Sequence, residues 1–262
     1  MGVFDVVFAS SVRQTVLLEL RDRPRQRRAL LDDVDASKSA VYDALNELRD
    51  RDLLREGRTR RWETTCLGDL VADYVADRRR TDDVLSAHAS YWRDHDASVL
   101  PEPFRASLGA LAGAERVSSS SSSETESLPA ASSVVDVVER ADRVALATPV
   151  YHDRYATALE RAARSADVRF ALAPAVIETA AGRADANWNA DGLGVRVADP
   201  GCTVLATDEA MVLSLPREDS SHDLAEALLA RTDRARAWGD RLFESVWREA
   251  TPLRALESLP RP

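Results

Sequence analysis

The chain is poor in lysine and cysteine, and it has no long apolar run. Its two cysteines, Cys66 and Cys202, lie far apart and neither belongs to a CxxC motif, so the sequence offers no basis for a disulfide or a zinc site. The 18 or more apolar residues of a membrane-spanning helix are absent. The stretch from Gly2 to Ala9 carries Asp5 and is too short for a signal peptide. From these absences we expect a cytoplasmic protein with no membrane partner and no metal.

Several catalytic motifs are missing as well. The sequence contains no Walker motif, no GxGxxG fingerprint and no GxSxG nucleophile motif. The order of elements in the second half distantly resembles half of a phospholipase-D-like domain. The chemistry of that domain needs His-x-Lys, and the only lysine of the chain is Lys38. We therefore expect no enzymatic activity and no cofactor.

Charge is abundant and unevenly distributed. The chain has 44 acidic and 35 basic residues, the basic ones are arginine except Lys38, and Asp outnumbers Glu. This composition resembles that of haloarchaeal proteins, although a GC-rich genome would explain the arginine preference alone. Residues 1–80 carry 16 basic and 15 acidic side chains, against 19 and 29 in residues 81–262. The asymmetry favours a DNA-facing end joined to an acidic body, but a slice of an acidic protein can also be neutral by chance.

The first eighty residues show the periodicity of helices around one hairpin. Apolar spacing predicts helices over 11–20, 25–31, 37–51 and 67–80, and strands over 53–56 and 61–64 on either side of a turn at 57–60. Three helices, a two-stranded hairpin and a further helix are the order of a winged helix-turn-helix. We therefore predict such a domain over residues 1–80.

The third helix has the side chains that a recognition helix needs. In a helix-turn-helix the second helix of the motif lies in the major groove with its amino-terminal residues near the base edges. Ser37, Lys38, Ser39 and Tyr42 supply short hydroxyls, a cation and a reaching polar aromatic, and Ser37 can also cap the helix. An ordinary amphipathic helix with a serine cap is the alternative.

The hairpin strengthens the case for DNA. Arg58, Arg60 and Arg61 surround its tip next to Gly57. Wing arginines contact phosphates or the minor groove through their charge and planar donors. A solvated turn is the plain alternative, but the two elements together predict binding to double-stranded DNA.

The rest of the chain indicates a second domain. Residues 81–103 predict a polar linker helix, and the serine run from Ser118 to Ser123 predicts a surface loop. Over residues 104–262 strands alternate with helices and then form a meander, which predicts an α/β effector or dimerisation domain with a mixed sheet. The fold class is therefore α+β, an N-terminal winged helix-turn-helix followed by a C-terminal α/β domain.

The second domain offers one weak candidate for a ligand site. Thr148, Tyr151 and His152 follow a predicted strand, the position at which open α/β sheets bind ligands. A simple turn and helix start is the alternative. His88 and His95 lie seven residues apart and would share a face of the linker helix; a solvated face is favoured there over a metal site. The segment 219–223 indicates a polar loop rather than a catalytic triad.

Several of these segments resemble known families. Ser37-Lys38-Ser39-Ala40-Val41-Tyr42, followed by Ala44-Leu45, resembles the recognition helix of archaeal winged-helix transcriptional regulators related to the ArsR and MarR groups. Asp35 replaces the usual glycine of the turn, and aspartate can take a left-handed conformation. Thr65-Cys66-Leu67-Gly68 is similar to the start of the helix after the wing in that family.

The second half is similar to the effector domain of methanogenesis-type regulators, a domain common in haloarchaeal regulators. The similarity is carried by residues 144–149, 171–174, 213–216 and 238–243; it is weak from 81 to 133, and the serine tract departs from it. The resemblance implies a DNA-binding transcriptional regulator with a small-molecule effector, but it names no ligand. A ligand-independent chromatin binder and an α/β enzyme with an appended DNA-binding module stay open as alternatives.

We also expect a homodimer. One winged helix covers too short a site to be found in a genome, whereas two copies about one DNA turn apart multiply the specificity. The helix after the wing and its continuation are too polar to be buried core elements, so the apolar stripe along them would be exposed, and an exposed apolar stripe indicates an interface. The residues proposed for it are Leu70, Val71, Tyr74, Val75, Val84, Leu85, Tyr91 and Trp92, with Trp238 and Trp247 of the last helix as additions.

Overall fold

The computed structural model of the protein describes residues 2–118, 129–151, 153–181, 193–222 and 226–253. The chain divides into two compact units, Met1–Arg80 and Thr81–Pro262. Within the described residues no helix is both long and apolar enough to span a membrane.

The first unit consists of helices around a small sheet. Its elements are α1 (Val3–Phe8), α2 (Ser11–Asp22), β1 (Arg25–Gln26), α3 (Arg27–Asp33), α4 (Lys38–Arg49), β2 (Leu54–Glu56), β3 (Arg61–Thr64) and α5 (Cys66–Ala87), the last of which continues into the second unit. This is the element order of a winged helix-turn-helix, as the sequence predicts. The helices bury one apolar face each, and Leu17, Leu30, Leu45 and Trp62 meet in a single core.

One strand of this unit is absent from the sequence prediction. The sequence predicts a helix that starts at Arg25, whereas Arg25 and Gln26 form β1 and the helix begins at Arg27. β1 pairs antiparallel with β3 and completes a three-stranded sheet in the order β1-β3-β2. Two residues are too few to show the alternation that identifies a strand, and only the pairing partner makes them one.

The junction between the wing and α5 explains the Thr-x-Leu-Gly segment. The Thr65 hydroxyl donates to the carbonyl of Asp52 at 2.5 Å and accepts from the amide of Gly68 at 3.0 Å. At Gly68 a β-carbon would lie 2.0 Å from the carbonyl oxygen of Leu53. Glycine is therefore required for this close approach of helix and strand. The turn before α4 uses no left-handed residue at Asp35; among the described non-glycine residues positive φ occurs at Asp52, Arg60 and Ser220.

The second unit is built on one mixed sheet. Its helices, besides the end of α5, are α6 (Ala89–Asp94), α7 (Glu102–Arg105), α8 (Pro129–Val138), α9 (Asp153–Ala162), α10 (Pro174–Ala181) and α11 (Asp233–Glu249), with short 3-10 turns at Ala97–Val99 and Leu108–Leu111. Its strands are β4 (Glu115–Ser118), β5 (Arg143–Thr148), β6 (Asp167–Leu172), β7 (Leu193–Val197), β8 (Thr203–Thr207), β9 (Met211–Ser214), β10 (Glu226–Ala230) and β11 (Thr251–Pro252).

The eight strands lie in the order β11-β7-β6-β5-β8-β9-β10-β4. β5, β6 and β7 run parallel, and the other neighbours are antiparallel. α8, α9 and α10 supply the apolar residues that cover one face of the sheet, and α6, α11 and the turn at Leu108–Leu111 cover the other. The α+β class with a mixed C-terminal sheet is thus confirmed.

The stretch after residue 80 corrects the expectation of an exposed apolar stripe. α5 runs on to Ala87, and Val84 and Tyr91 are fully buried in the core of the second unit. The Tyr91 hydroxyl accepts from the amide of Leu215 at 3.0 Å. The prediction of an exposed stripe at these positions is therefore wrong. Sequence alone suggests a polar helix here, because it cannot show the sheet that covers the few apolar positions.

The two histidines of this stretch are buried rather than solvated. His88 lies with Nε2 3.0 Å from the carbonyl oxygen of Ala114. His95 stacks on Tyr91 with ring centroids 4.1 Å apart and has Nδ1 2.9 Å from the Tyr91 carbonyl. Trp238 is also fully buried. It packs against Phe104, so it is unavailable for the interface suggested for the last helix.

Candidate nucleic-acid interface

The amino-terminal turn of α4 presents hydroxyls and a cation to solvent. Ser37 caps the helix by accepting from the amide of Ala40 at 3.2 Å, and its Oγ lies 3.1 Å from that of Ser39. Ser37, Lys38 and Ser39 are all exposed. The cap hydrogen bond fixes the helix start, because it satisfies an amide that the helix itself leaves free. Lys38 and Ser39 are thereby displayed on the first turn.

Tyr42 continues this exposed face one turn further. Its side chain is 39% exposed, whereas Val41, Leu45 and Leu48 on the opposite face are buried. The guanidinium carbon of Arg27 lies 5.3 Å from the Tyr42 ring centroid and 5.6 Å from that of Trp62 in β3. Arg27 thus joins α4 to the sheet through two cation–π contacts.

The hairpin tip is closed by its own backbone. The Gly57 amide donates to the carbonyl of Arg61 at 2.7 Å, and the Arg60 amide donates to that of Gly57 at 3.1 Å. Arg60 has φ of 53°, a left-handed conformation that costs an L-residue energy. Arg58, Arg60 and Arg61 are exposed. The turn therefore displays three cations side by side.

The cations near α4 and the hairpin differ from others in the same unit. Arg13, Arg21, Arg49, Arg55 and Arg80 are all held by carboxylates. Within the described part of the chain no ion pair involves Arg23, Arg27, Arg28, Lys38, Arg58, Arg60 or Arg61. Cations without an ion pair thus lie just before β1, at the starts of α3 and α4, and in the hairpin. Among the described residues of α5, Arg78 and Arg79 also make no ion pair; Arg78 lies over the Phe8 ring and Arg79 donates to the Thr15 hydroxyl.

Arg23, Arg27 and Arg28 are the members of this set that sequence reasoning missed. They belong to a run in which residues 21–28 include five arginines. That density of positive charge was a usable signal. A short amphipathic helix accounts for the same residues, so the sequence pattern by itself does not distinguish a binding role for them.

The candidate ligand site in the second unit is partly described. Thr148, at the end of β5, is fully buried, and its hydroxyl lies 2.8 Å from that of Thr203 and accepts from the amide of Val150 at 3.2 Å. Tyr151 is half-buried against the core below α8–α10. His152 lies outside the described residues. The Thr148 side chain therefore holds the turn before α9.

The remaining candidates for chemistry are sparse. No group of three or more His, Cys, Asp or Glu side chains in the described ranges is arranged to hold a metal ion. Cys66 is exposed, and burial raises the pKa of the Cys202 thiol to about 12. In the loop at 219–222, hydrogen bonds from the side chain and amide of Ser221 lower the pKa of Asp219.

Two family models match separate parts of the chain. Residues 4–84 match the HVO_A0261 N-terminal domain. Residues 129–249 match the middle domain of the methanogenesis regulatory protein FilR1. A search of curated proteins gave no match.

Solved structures give weak global similarities. An archaeal chromatin protein, TrmBL2, aligns with a TM-score of 0.42 and 13% identity over 91% of this chain and 92% of that one. ZitR of Lactococcus lactis has a TM-score of 0.27 and 22% identity over 31% and 56% of the two chains. An IclR-type regulator of Alicyclobacillus acidocaldarius aligns with a TM-score of 0.27 and 11% identity over 95% of this chain and 98% of that one. Similarities at this level support no argument about function, so the two family matches are the informative ones: the chain is similar to the HVO_A0261 N-terminal domain at one end and to a regulatory protein's middle domain at the other.

Proposed function

We propose that the protein is a DNA-binding regulator of transcription that works in the cytoplasm. The observation that carries the proposal is the coincidence of two features on the first unit. The exposed face of α4 displays Lys38, Ser39 and Tyr42, with Arg27 against the Tyr42 ring. The hairpin displays Arg58, Arg60 and Arg61, which make no ion pair within the described residues. The match of the second half to a methanogenesis regulator's middle domain supports a regulatory rather than an enzymatic role.

In this proposal α4 contacts the base edges in the major groove, and the hairpin contacts the phosphates of the DNA backbone. Short hydroxyls, an ammonium and a phenol suit the mixed donors and acceptors of the major groove. Arginines at a hairpin tip suit phosphates, which carry no sequence information but fix the position of the protein. The two sets should therefore differ in how they affect selectivity.

Fluorescence anisotropy with two duplexes, one bound in the genome and one unrelated, tests this division. Replacing Lys38 and Tyr42 by alanine should reduce the ratio of the two affinities by about tenfold or more, because each base contact contributes about 1–3 kcal/mol. Replacing Arg58 and Arg60 by glutamine should weaken both duplexes alike. Arg93→Gln, an exposed charge in the second unit, is the control. Unaltered affinity in both double variants would remove the DNA-contact assignment.

We further propose that the regulator is a homodimer paired through a patch on α1 and α5. Phe4, Leu67, Leu70 and Tyr74 are exposed large apolar residues of the first unit, Leu70 at 64% and Tyr74 at 55%. The rings of Phe4 and Tyr74 are 4.8 Å apart, so the two helices form one surface. Val71 and Val75, also expected at the interface, instead lie in the core of their own unit.

Light scattering at high salt tests the pairing. Wild type should have twice the 28.8 kDa mass of one chain, and Leu70→Asp should lower it to the single-chain mass. Ser86→Asp adds the same charge to an exposed position of the same helix outside the patch, and it should leave the dimer intact. A wild-type mass of one chain at micromolar concentration would contradict the dimer.

A small-molecule effector at the end of β5 completes the proposal. Thr148 would fix the turn, and Tyr151 would contact the ligand. Native mass spectrometry of protein prepared from its own cells should detect a bound small molecule that is lost in Tyr151→Ala. The absence of any adduct, together with unchanged DNA binding in that variant, would instead favour a regulator without a ligand.

A further inference from the structure

A cleft beside the hairpin is lined by three arginines. It has a volume of about 300 Å³ and is lined by Arg23, Pro24, Arg25, Gln26, Ala29 and Arg61. The short strand β1 creates it, because Gln26 lies opposite Arg61 and Arg25 opposite Trp62 in the β1–β3 pairing. Residues that are far apart in sequence thus line one cleft.

The three arginines have different surroundings. Arg25 is ion-paired with Glu19 at 2.8 Å and with Asp33, and its side chain is only 15% exposed. Its charge is therefore compensated inside the fold. Arg23 and Arg61 are exposed, and no carboxylate pairs with either of them in the described ranges. None of the six lining residues is acidic.

The chemistry of the lining selects a phosphate. Guanidinium groups bind phosphate oxygens in a bidentate way that a single ammonium cannot reproduce. The lining contains no aromatic side chain on which a base could stack, and its one uncharged polar side chain is the Gln26 amide. The cleft therefore fits the phosphate of a nucleic acid better than its base.

The position of the cleft favours a phosphate of duplex DNA, because the cleft lies next to residues proposed to contact DNA. Arg27, next in sequence to the lining residue Gln26, stacks on Tyr42 of α4. Arg61 follows directly on the wing residue Arg60. The cleft thus lies along the same set of cations that borders the exposed face of α4.

We propose that Arg23 and Arg61 hold one phosphate of the duplex backbone in this cleft, with Arg25 as a positioning residue. The inference rests on the proposed DNA binding, and it adds a phosphate contact beyond α4 and beyond Arg58 and Arg60 of the hairpin tip. It assigns Arg61 to the cleft, and it introduces Arg23, which no motif indicated. The contact fixes the register of the protein on the duplex and reads no sequence.

The dependence of DNA affinity on KCl tests the contact in the full-length protein. Each phosphate contact makes the affinity fall with salt to a power of about 0.9. If Arg23→Gln/Arg61→Gln removes one contact, the ratio of wild-type to variant affinity should rise about eightfold when KCl falls from ~2 M to ~0.2 M. The change should be equal for two unrelated duplexes.

Arg93→Gln/Arg241→Gln removes the same charge from exposed positions in the second unit and is the control. Its salt slope should match the wild type. A cleft variant with the slope of this control overturns the inference while leaving DNA binding intact. A wild type that binds no duplex contradicts the proposed function itself, and the two failures are therefore distinguishable.

Two further measurements cover an unfolded double variant and a free anion as the occupant of the cleft. Arg23→Gln alone alters an exposed residue that makes no ion pair in the described part of the chain, so its salt slope can be measured if the double variant unfolds. Thermal shifts with inorganic phosphate and with ATP test a free anion as the occupant. Stabilisation by either at micromolar concentration, lost in the variant while the DNA salt slope stays unchanged, would overturn the duplex assignment.

Discussion

Arginine plays different roles in the two units. In the second unit Arg116, Arg143 and Arg169 each reach from a strand to a carboxylate on another element: Arg116 to Glu226, and the other two to α11. In the first unit Arg13, Arg21 and Arg25 are likewise paired with carboxylates. Within the described residues no ion pair involves Arg23, Arg58, Arg60 or Arg61. Paired arginines stabilise a fold, whereas unpaired neighbours repel one another and favour a bound anion.

The net charge of a unit is therefore a poor guide to whether it carries a binding surface. The first unit is nearly neutral overall, and its positive surface arises because carboxylates compensate one subset of arginines and leave another free. The acidic excess lies in residues 81–262.

The largest expected effect is a loss of stability confined to one of the two units. Gly68→Ala should destabilise the first unit by about 3 kcal/mol, because the new β-carbon meets the carbonyl of Leu53, which cannot move away freely. Gly239→Ala in α11 places its β-carbon 3.0 Å from Cβ of Met211, and should cost about 1 kcal/mol in the second unit. Calorimetry should show the two losses in different transitions; equal losses, or a single shared transition, would contradict this picture.

The next effect tests the two roles of arginine directly. Arg116 donates to both oxygens of Glu226 at 2.7 Å and to the Ser90 hydroxyl at 2.6 Å. Arg116→Gln should therefore lower the free energy of unfolding by about 1–2 kcal/mol. Arg23→Gln should leave stability unchanged or raise it slightly, since it removes a repulsive charge. Urea denaturation measures both, and a comparable loss in the two variants would show that the division is false.

Salt should act unequally on the two units. The screening length grows from ~3 Å at ~1 M salt to ~10 Å at ~0.1 M, so dilution exposes the acidic second unit to its own repulsion. We expect its melting temperature to fall by a few degrees more than that of the first unit as KCl is diluted. Scanning calorimetry across a KCl series checks this. A uniform response would argue against a salt-adapted composition.

The smallest effect concerns the thiols, one in each unit. At pH 8 the Cys202 thiol stays protonated, because burial raises its pKa to about 12, and no reagent can reach it. Cys66 is exposed at the start of α5. A thiol reagent should label one cysteine per native chain and the second only when the second unit opens. Two equivalents labelled under native conditions would contradict the burial of Cys202.

Elements that carry local signals could be predicted from the amino-acid sequence. Ser37 caps α4 and apolar periodicity fixes its buried face, so this helix and its displayed residues could be read directly. The hairpin followed from its turn residues. Pro174 stands at the start of α10 and Thr232 caps α11, and both are local signals of a helix start. Such signals act within a few residues, and neighbours in sequence are enough to reveal them.

Features that depend on residues far apart in the chain could be seen only in the folded structure. β1 is a strand because β3 lies beside it, and β4 because β10 does. Tyr91 and Val84 are core residues because the sheet covers them, although their neighbours in sequence are polar. The cleft of Arg23, Arg25 and Arg61 exists for the same reason. Pairing and burial are set by contacts between residues far apart in the chain, and a sequence pattern shows only the residue that needs a partner, never the partner that it finds.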